Sequence, residues 1–372
     1  MYVLALLTGT YSYLIFALGL LGILYKEYII FLTVTFFFIA VFVYKKLLVV
    51  NLLRCFKTFK QIHKSSSIFL TLLFFQAFVN LIGAMGPELG FDALWYHLTL
   101  PKIYLINHSI DYIPGGLLYY SAMPKLTEML YIFGLSLGSE VYVKLIHFSF
   151  GILSLIALYK LSRNFFSARF ALLTLVIFYS NLLVGWQSIT AYIDLTRTFF
   201  EIMALWGFIN WRKKREKKWF VISAIMLGLA ISTKLLALGS LIIFVVLVIF
   251  SYIIRHSGKR QRIQNPHGSE RFWTSQNDGN DNILRNLLVY PFIVLLIPLP
   301  WFIFSYIHTR NPVYPFFTNI YPVSLSNDII NPIRFVSDIW NVFTKSADPI
   351  SPIYIIFLPV SIFFLLKREE LT

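Results

Sequence analysis

"SIFLTLLFFQAFVNLIGAMG", residues 67–86, carries no charge over twenty positions. A helix of that length rises about 30 Å, the thickness of the hydrocarbon core of a bilayer. It is followed at once by "PELGFDALWYHLTLPKIYL", residues 87–105, where Glu88, Asp92, His97 and Lys102 interleave with Trp95, Tyr96 and Tyr104. The first run reads as a transmembrane helix. The second puts two carboxylates, an imidazole and an ammonium where the membrane ends.

Working outward, similar apolar runs recur at 3–25, 28–50, 140–160, 169–188, 190–210, 219–234, 236–254, 287–308 and 351–367. The sequence therefore predicts an all-α membrane protein, a polytopic bundle of about 10 transmembrane helices. Composition agrees, since the chain is 58% hydrophobic and only 13% charged, about half the charged fraction of a soluble domain. The N-terminus has no basic leader and no small-residue cleavage site, so it reads as a retained first helix. The single Cys55 excludes an internal disulfide and a multi-cysteine metal site.

A net charge of +15 suggests nucleic acid in a soluble protein. Here its distribution says otherwise. Basic residues concentrate in 44–64, 160–169, "RKKREKK" (212–218), 255–286 and the tail, and these segments alternate with the spans so that all can lie on one side. The positive-inside rule makes that side cytoplasmic and excludes a nucleic-acid partner. Residues 87–139 and 309–350 then become the two large outside segments. Residues 255–286 become a polar cytoplasmic linker, and residues 1–65 form two additional N-terminal spans with a basic loop. The Trp- and Tyr-rich loop 87–139 should lie in the interface as short amphipathic helices.

Four constellations carry candidate chemistry. In the first, Asp92 is either a helix N-cap or an ionised carboxylate able to take the proton of an attacking hydroxyl. Glu88 is the alternative base. Tyr96, His97 and Lys102 are candidate substrate contacts, or else interfacial residues. In the second, "SITAYIDLTRTFFEIMALW", Thr190, Asp194, Arg197 and Glu201 share one face of one helix. Charges in a span avoid lipid, so this face meets other helices or a wet cavity. Arg197 and Glu201 can equally form a structural ladder.

In the third, "GLAISTKLLALGS", Lys234 either marks a turn between two spans or meets a lipid phosphate. In the fourth, "HTRNPVYPFFTNIYP", Arg310 is a second phosphate ligand or an interfacial anchor. There is no HExxH, GxSxG, Walker or Rossmann motif. If a metal is used, the hard oxygens of Asp92 and Asp194 suit Mg²⁺ or Mn²⁺.

"FDALWYHLTLPKIYL", "AYIDLTRTFFE", "GLAISTK" and "RNPVYPFF", in that order, resemble the motifs of GT-C type polytopic glycosyltransferases. These are the bacterial and archaeal relatives of protein O-mannosyltransferases and aminoarabinose–lipid A transferases. The resemblance covers roughly residues 66–367. It implies transfer of a hexose or pentose from a polyprenyl-phosphate donor to a glycan, lipid or protein acceptor at the extracytoplasmic face of the cell membrane. It maps an acidic residue that serves as base or metal ligand onto Asp92, a second acidic position onto Asp194, and a phosphate-binding cation onto Lys234. A transporter or flippase for a lipid-linked sugar is the alternative, and it needs the charged stripe of 190–201 to line a path across the membrane. A non-catalytic scaffold is the third reading; it needs Asp92 and Asp194 to lie far apart or to be capped by ion pairs.

Overall fold

The computed structural model describes residues 1–60, 67–214, 216–264 and 283–319, together with Ser337. The expected span 351–367, most of the second outside segment 309–350 and the middle of the linker 255–286 lie outside the described residues. Among the described residues every regular element is a helix and there is no strand.

The helices are α1 (Tyr2–Leu20), α2 (Lys26–Lys60), α3 (Ser67–Met85), α4 (Thr99–Asn107), α5 (Leu126–Ser136), α6 (Glu140–Ser162), α7 (Ala168–Tyr179), α8 (Leu182–Gln187), α9 (Asp194–Lys214), α10 (Lys217–Thr233), α11 (Ala237–Gln264), α12 (Ile283–Leu296) and α13 (Leu299–Thr309). Within α2, Lys26–Lys45 is long and apolar enough to cross a membrane, as are α1, α3 and α6. The pair α12 and α13, bent by 65°, makes a fifth candidate if it is one span.

The core is built on α9, with α6 and α10 packed against it and α5 and α12 beyond. Small residues allow the close approaches. Ser223 donates to the carbonyl of Ala204 at 2.8 Å and shares a hydrogen bond with the Tyr290 hydroxyl at 2.9 Å, linking α10 to α9 and α12. Such buried hydroxyl contacts hold helices together where lipid supplies no hydrophobic drive. A Cβ on Gly228 would stand 2.7 Å from the carbonyl oxygen of Val294 and 2.6 Å from the Ile297 side chain. Backbone cannot yield as a flexible side chain does. Gly228→Ala should therefore destabilise the fold by about 1–3 kcal/mol, read as a lower melting temperature in detergent with the α10–α12 contact intact in wild type.

The bundle has two unlike ends. Helix α9 begins at Asp194 and closes on Arg212, Lys213 and Lys214, about 30 Å away at 1.5 Å per residue. Helix α10 begins at Lys217 and delivers Thr233 and Lys234 back beside Asp194, where the Lys234 Nζ and Asp194 Oδ1 are 2.8 Å apart. Helix α6 carries Glu140 and Lys144 at one end and Lys160 at the other. One end is basic. The other gathers Asp92, Asp194 and Lys234.

The helix expected over 190–210 does not start at 190. Residues 188–193 are non-helical, so Thr190 does not share the α9 face with Asp194, Arg197 and Glu201. The reason is a set of side chains that take over the backbone's hydrogen bonds. The Ala191 N–H donates to Glu88 Oε2 at 2.6 Å. The His147 Nδ1 pairs with the Thr190 carbonyl at 2.8 Å, and its Nε2 accepts the Leu195 N–H at 3.1 Å. A carbonyl on one nitrogen and an amide on the other define the neutral tautomer with hydrogen on Nδ1. The Tyr131 hydroxyl donates to the Tyr192 carbonyl. Irregular backbone survives at membrane depth only when its polar groups are met in this way.

Candidate functional site

The loop after α3 is tied down before it reaches the site. Buried Lys144 donates to the carbonyls of Gly83, Gly86 and Pro87 at 2.8–3.1 Å, closing the C-terminus of α3. Glu88, also buried, accepts the N–H groups of Leu89 at 2.9 Å and Gly90 at 2.6 Å on Oε1, besides Ala191 on Oε2. Its carboxylate is fully engaged with backbone. The Asp92 N–H donates to the Tyr192 hydroxyl at 3.1 Å, so the loop and the 188–193 break are clamped together.

The chain then makes a widened, π-type turn over Ala93–His97, a form common at functional sites. The Asp92 side chain makes no capping bond to this turn; instead the Tyr96 hydroxyl donates to Asp92 Oδ2 at 3.2 Å. The N-cap reading of Asp92 is thus not realised. The inward faces of this turn and of α4 pack into the core, with Ala93, Tyr96, His97, Leu98, Leu100 and Tyr104 all buried.

Below them lies a cavity of about 270 Å³. Its ionisable lining is Asp92, His97, Lys125, Glu128 and Lys234, and its aromatic lining includes Tyr96 and Tyr120. The Tyr96 and Tyr120 rings stack at 3.8 Å with a 3° angle between planes. Of the residues singled out in the sequence, Asp92, Tyr96, His97 and Lys234 come together here. Asp194 stands immediately behind, its Oδ1 bonded to the Lys234 ammonium at 2.8 Å. Deeper along α9, Arg197 and Glu201 approach at 3.9 Å, and Ser240 donates to Glu201 at 2.8 Å.

Other candidates stand elsewhere. Glu88 is part of the clamp. Lys102 forms an ion pair with Glu140 on the exposed side of α4 and does not line the cavity. Arg310 is exposed at the left-handed C-cap of α13, also outside the lining, whereas Pro315 and Phe316 a few residues on do contribute to it.

Two lining residues were not anticipated. Lys125 is fully buried and donates to the carbonyls of Ser121 at 2.6 Å and Met123 at 2.5 Å. Burial pushes its ammonium down to about 7, against an opposing pull from Glu128. Glu128, one turn further on, holds His97, with His97 Nδ1 and Glu128 Oε1 at 2.7 Å. Their one sequence signal was a Lys and a Glu three apart at the start of an apolar helix too short to span.

Among the described residues no three of His, Cys, Asp and Glu converge as ligands, and Asp194 spends its carboxylate on Lys234.

The sequence between residues 126 and 269, from α5 through α11, matches the model of the dolichyl-phosphate-mannose-protein mannosyltransferase family. The match spans 144 of the 372 residues and, with four helices among the described residues long and apolar enough to cross a membrane, it likens that part of the chain to multi-pass membrane glycosyltransferases. More particularly, the matched segment bears out the resemblance to GT-C type, lipid-linked-sugar-dependent transferases and holds Glu128, Asp194 and Lys234. No curated protein and no solved structure matches the chain.

Proposed function

We propose that this protein transfers a hexose or pentose from a polyprenyl-phosphate donor to an acceptor hydroxyl at the outer face of the membrane, with inversion. One observation carries the reading: a single cavity sets the Asp92 carboxylate among two ammonium groups, Lys125 and Lys234. A sugar phosphate needs cations for its leaving group and a base for its attacker. Both are present.

In the reaction, the acceptor oxygen forms a bond to the anomeric carbon as the bond from that carbon to the phosphate oxygen breaks. The electron pair leaves with the phosphate, and the acceptor proton passes to Asp92. Attack opposite the departing phosphate inverts the anomeric centre, through an oxocarbenium-like transition state as in glycoside hydrolysis. Lys125 and Lys234 neutralise the charge that develops on the phosphate. Asp194 orients Lys234, and the Tyr96 hydroxyl orients Asp92. No step requires a metal.

Sidedness is supported by the two ends of the bundle, since the cavity lies at the helix ends opposite Arg212–Lys214. The positive-inside rule assigns those basic ends to the cytoplasm. Cysteines placed singly at Lys214 and Asp111, in a Cys55→Ser background, should react with a membrane-impermeant maleimide from opposite faces of sealed vesicles. Labelling of both from one face would break the topology. Cavity carboxylates confined to one end, with Arg197 and Glu201 paired to each other, favour transfer over transport.

The direct test is purified protein in liposomes with a panel of polyprenyl-phosphate hexoses and pentoses. Release of free polyprenyl phosphate in the presence of a hydroxyl acceptor is expected. Movement of intact donor between leaflets without release would establish the flippase instead.

A further inference from the structure

The His97–Glu128 pair is not used by the transfer step. His97 is 1% and Glu128 3% exposed, and both line the cavity. Their mutual contact uses one polar atom of each. His97 Nε2 and Glu128 Oε2 are buried and without a hydrogen-bond partner.

Chemistry fixes what these atoms ask for. A carboxylate only accepts, so the Nδ1–Oε1 contact takes its hydrogen from Nδ1. That leaves Nε2, an acceptor whenever the ring is neutral, and Glu128 Oε2, an acceptor in its own right. Two buried acceptors on adjoining groups are costly until donors meet them. The stacked Tyr96 and Tyr120 rings line the same cavity, and Tyr96 also packs on His97, with ring centroids 4.1 Å apart. An apolar ring face beside paired acceptors suits a polyhydroxylated ring: C–H edges lie on the aromatics and O–H groups donate to the acceptors.

Building on the proposed function, we propose that His97 and Glu128 form the subsite that reads the hydroxyl groups of the donor sugar, with Tyr96 and Tyr120 as its stacking wall. The sugar lies at the His97–Glu128 end of the cavity and the phosphate at the Lys125–Lys234 end. Glu128 has a double role, accepting a sugar hydroxyl on Oε2 and fixing the tautomer of His97 through Oε1. Selection acts against deoxygenated sugars, because a missing hydroxyl leaves a buried acceptor unmet.

The test is a difference in binding. Full-length protein in nanodiscs is titrated with bare polyprenyl phosphate and with the same lipid carrying each of a panel of hexoses and pentoses. Wild type should bind its preferred sugar-bearing lipid more tightly than bare polyprenyl phosphate. Glu128→Gln keeps an oxygen for His97 Nδ1 but turns an NH₂ where Oε2 stood. It should lose about tenfold more on the sugar-bearing lipid than on bare polyprenyl phosphate, whose binding shifts only through the charge that Glu128 presents to Lys125. His97→Asn, which keeps a donor near Nδ1 and removes the atom at Nε2, should do the same, and both variants are compared at matched melting temperature. Equal loss on both lipids, or no loss on either, overturns the subsite; the second result means that water alone fills these positions. Failure of wild type to bind bare polyprenyl phosphate at all sinks the donor class itself, a separate result.

Discussion

Asp92→Asn protein is expected to lose about 10²–10⁴-fold in sugar transfer while melting normally and still binding lipid donor. Asparagine has the shape of aspartate and can still accept the Tyr96 hydroxyl, so the widened turn keeps its inner contact. It cannot take up a proton. The backbone tie from Asp92 N–H to Tyr192 is independent of the side chain. Donor binding survives because the ammonium groups come from other elements. Glu88→Gln supplies the contrast. All of its polar contacts are to amide hydrogens, of Leu89, Gly90 and Ala191, and a glutamine must turn an NH₂ toward at least one of them. It should melt early, and its activity should fall with its folded fraction. Asp92→Asn transferring sugar within a few-fold of wild type would remove Asp92 as the base.

The second large effect belongs to Lys125 and carries its own pH signature. Burial lowers its ammonium from 10.5 to about 7, so above about pH 7 the ligand-free protein holds it uncharged. Phosphate binding then has to take up a proton. Donor affinity should therefore be highest below pH 7 and fall as pH rises, toward a limit of tenfold per pH unit. Folding runs the other way. The unfolded chain binds more protons than the folded one between about 7 and 10.5, so stability contributed at this position rises with pH across that window. A loss of binding on the alkaline side cannot then be put down to loss of fold. Lys125→Met should weaken donor binding about 10- to 100-fold at pH 6 and flatten the pH dependence. A variant that keeps the wild-type slope above pH 7 would move the titrating cation elsewhere.

These two residues also mark the boundary of what the sequence made legible. Asp92 and Lys234 stood out because a charge beside an apolar run is costly and therefore conspicuous. The same argument found Asp194, although its carboxylate turns out to serve Lys234. Hydropathy located α1, the first part of α2, α3 and α6 for the same reason, each being long and apolar enough to read alone. Lys125 and Glu128 were passed over. They open α5, an eleven-residue helix too short to register as a span, so their charges had no contrast to stand against. The clamp was illegible for a different reason. Glu88 meets Ala191 across 103 positions and His147 meets Thr190 across 43, and nothing local in either stretch announces such a partner. Lys102 and Arg310 were drawn in by sharing a motif with true cavity residues. Helix α4 turns Lys102 toward Glu140, and the left-handed C-cap of α13 leaves Arg310 at the surface.

The non-helical stretch 188–193 bears on how the chain is put together in the membrane. Its backbone is met by Glu88, Tyr131 and His147, and all three precede it in the chain. Synthesis runs from the N-terminus, and earlier parts settle first. When the break between α8 and α9 leaves the ribosome, every side chain that must receive it has already been made. A segment that would strand bare amides and carbonyls in lipid is thus delivered to a finished receptor. The reverse order in the gene would ask it to wait unpaired for partners not yet translated.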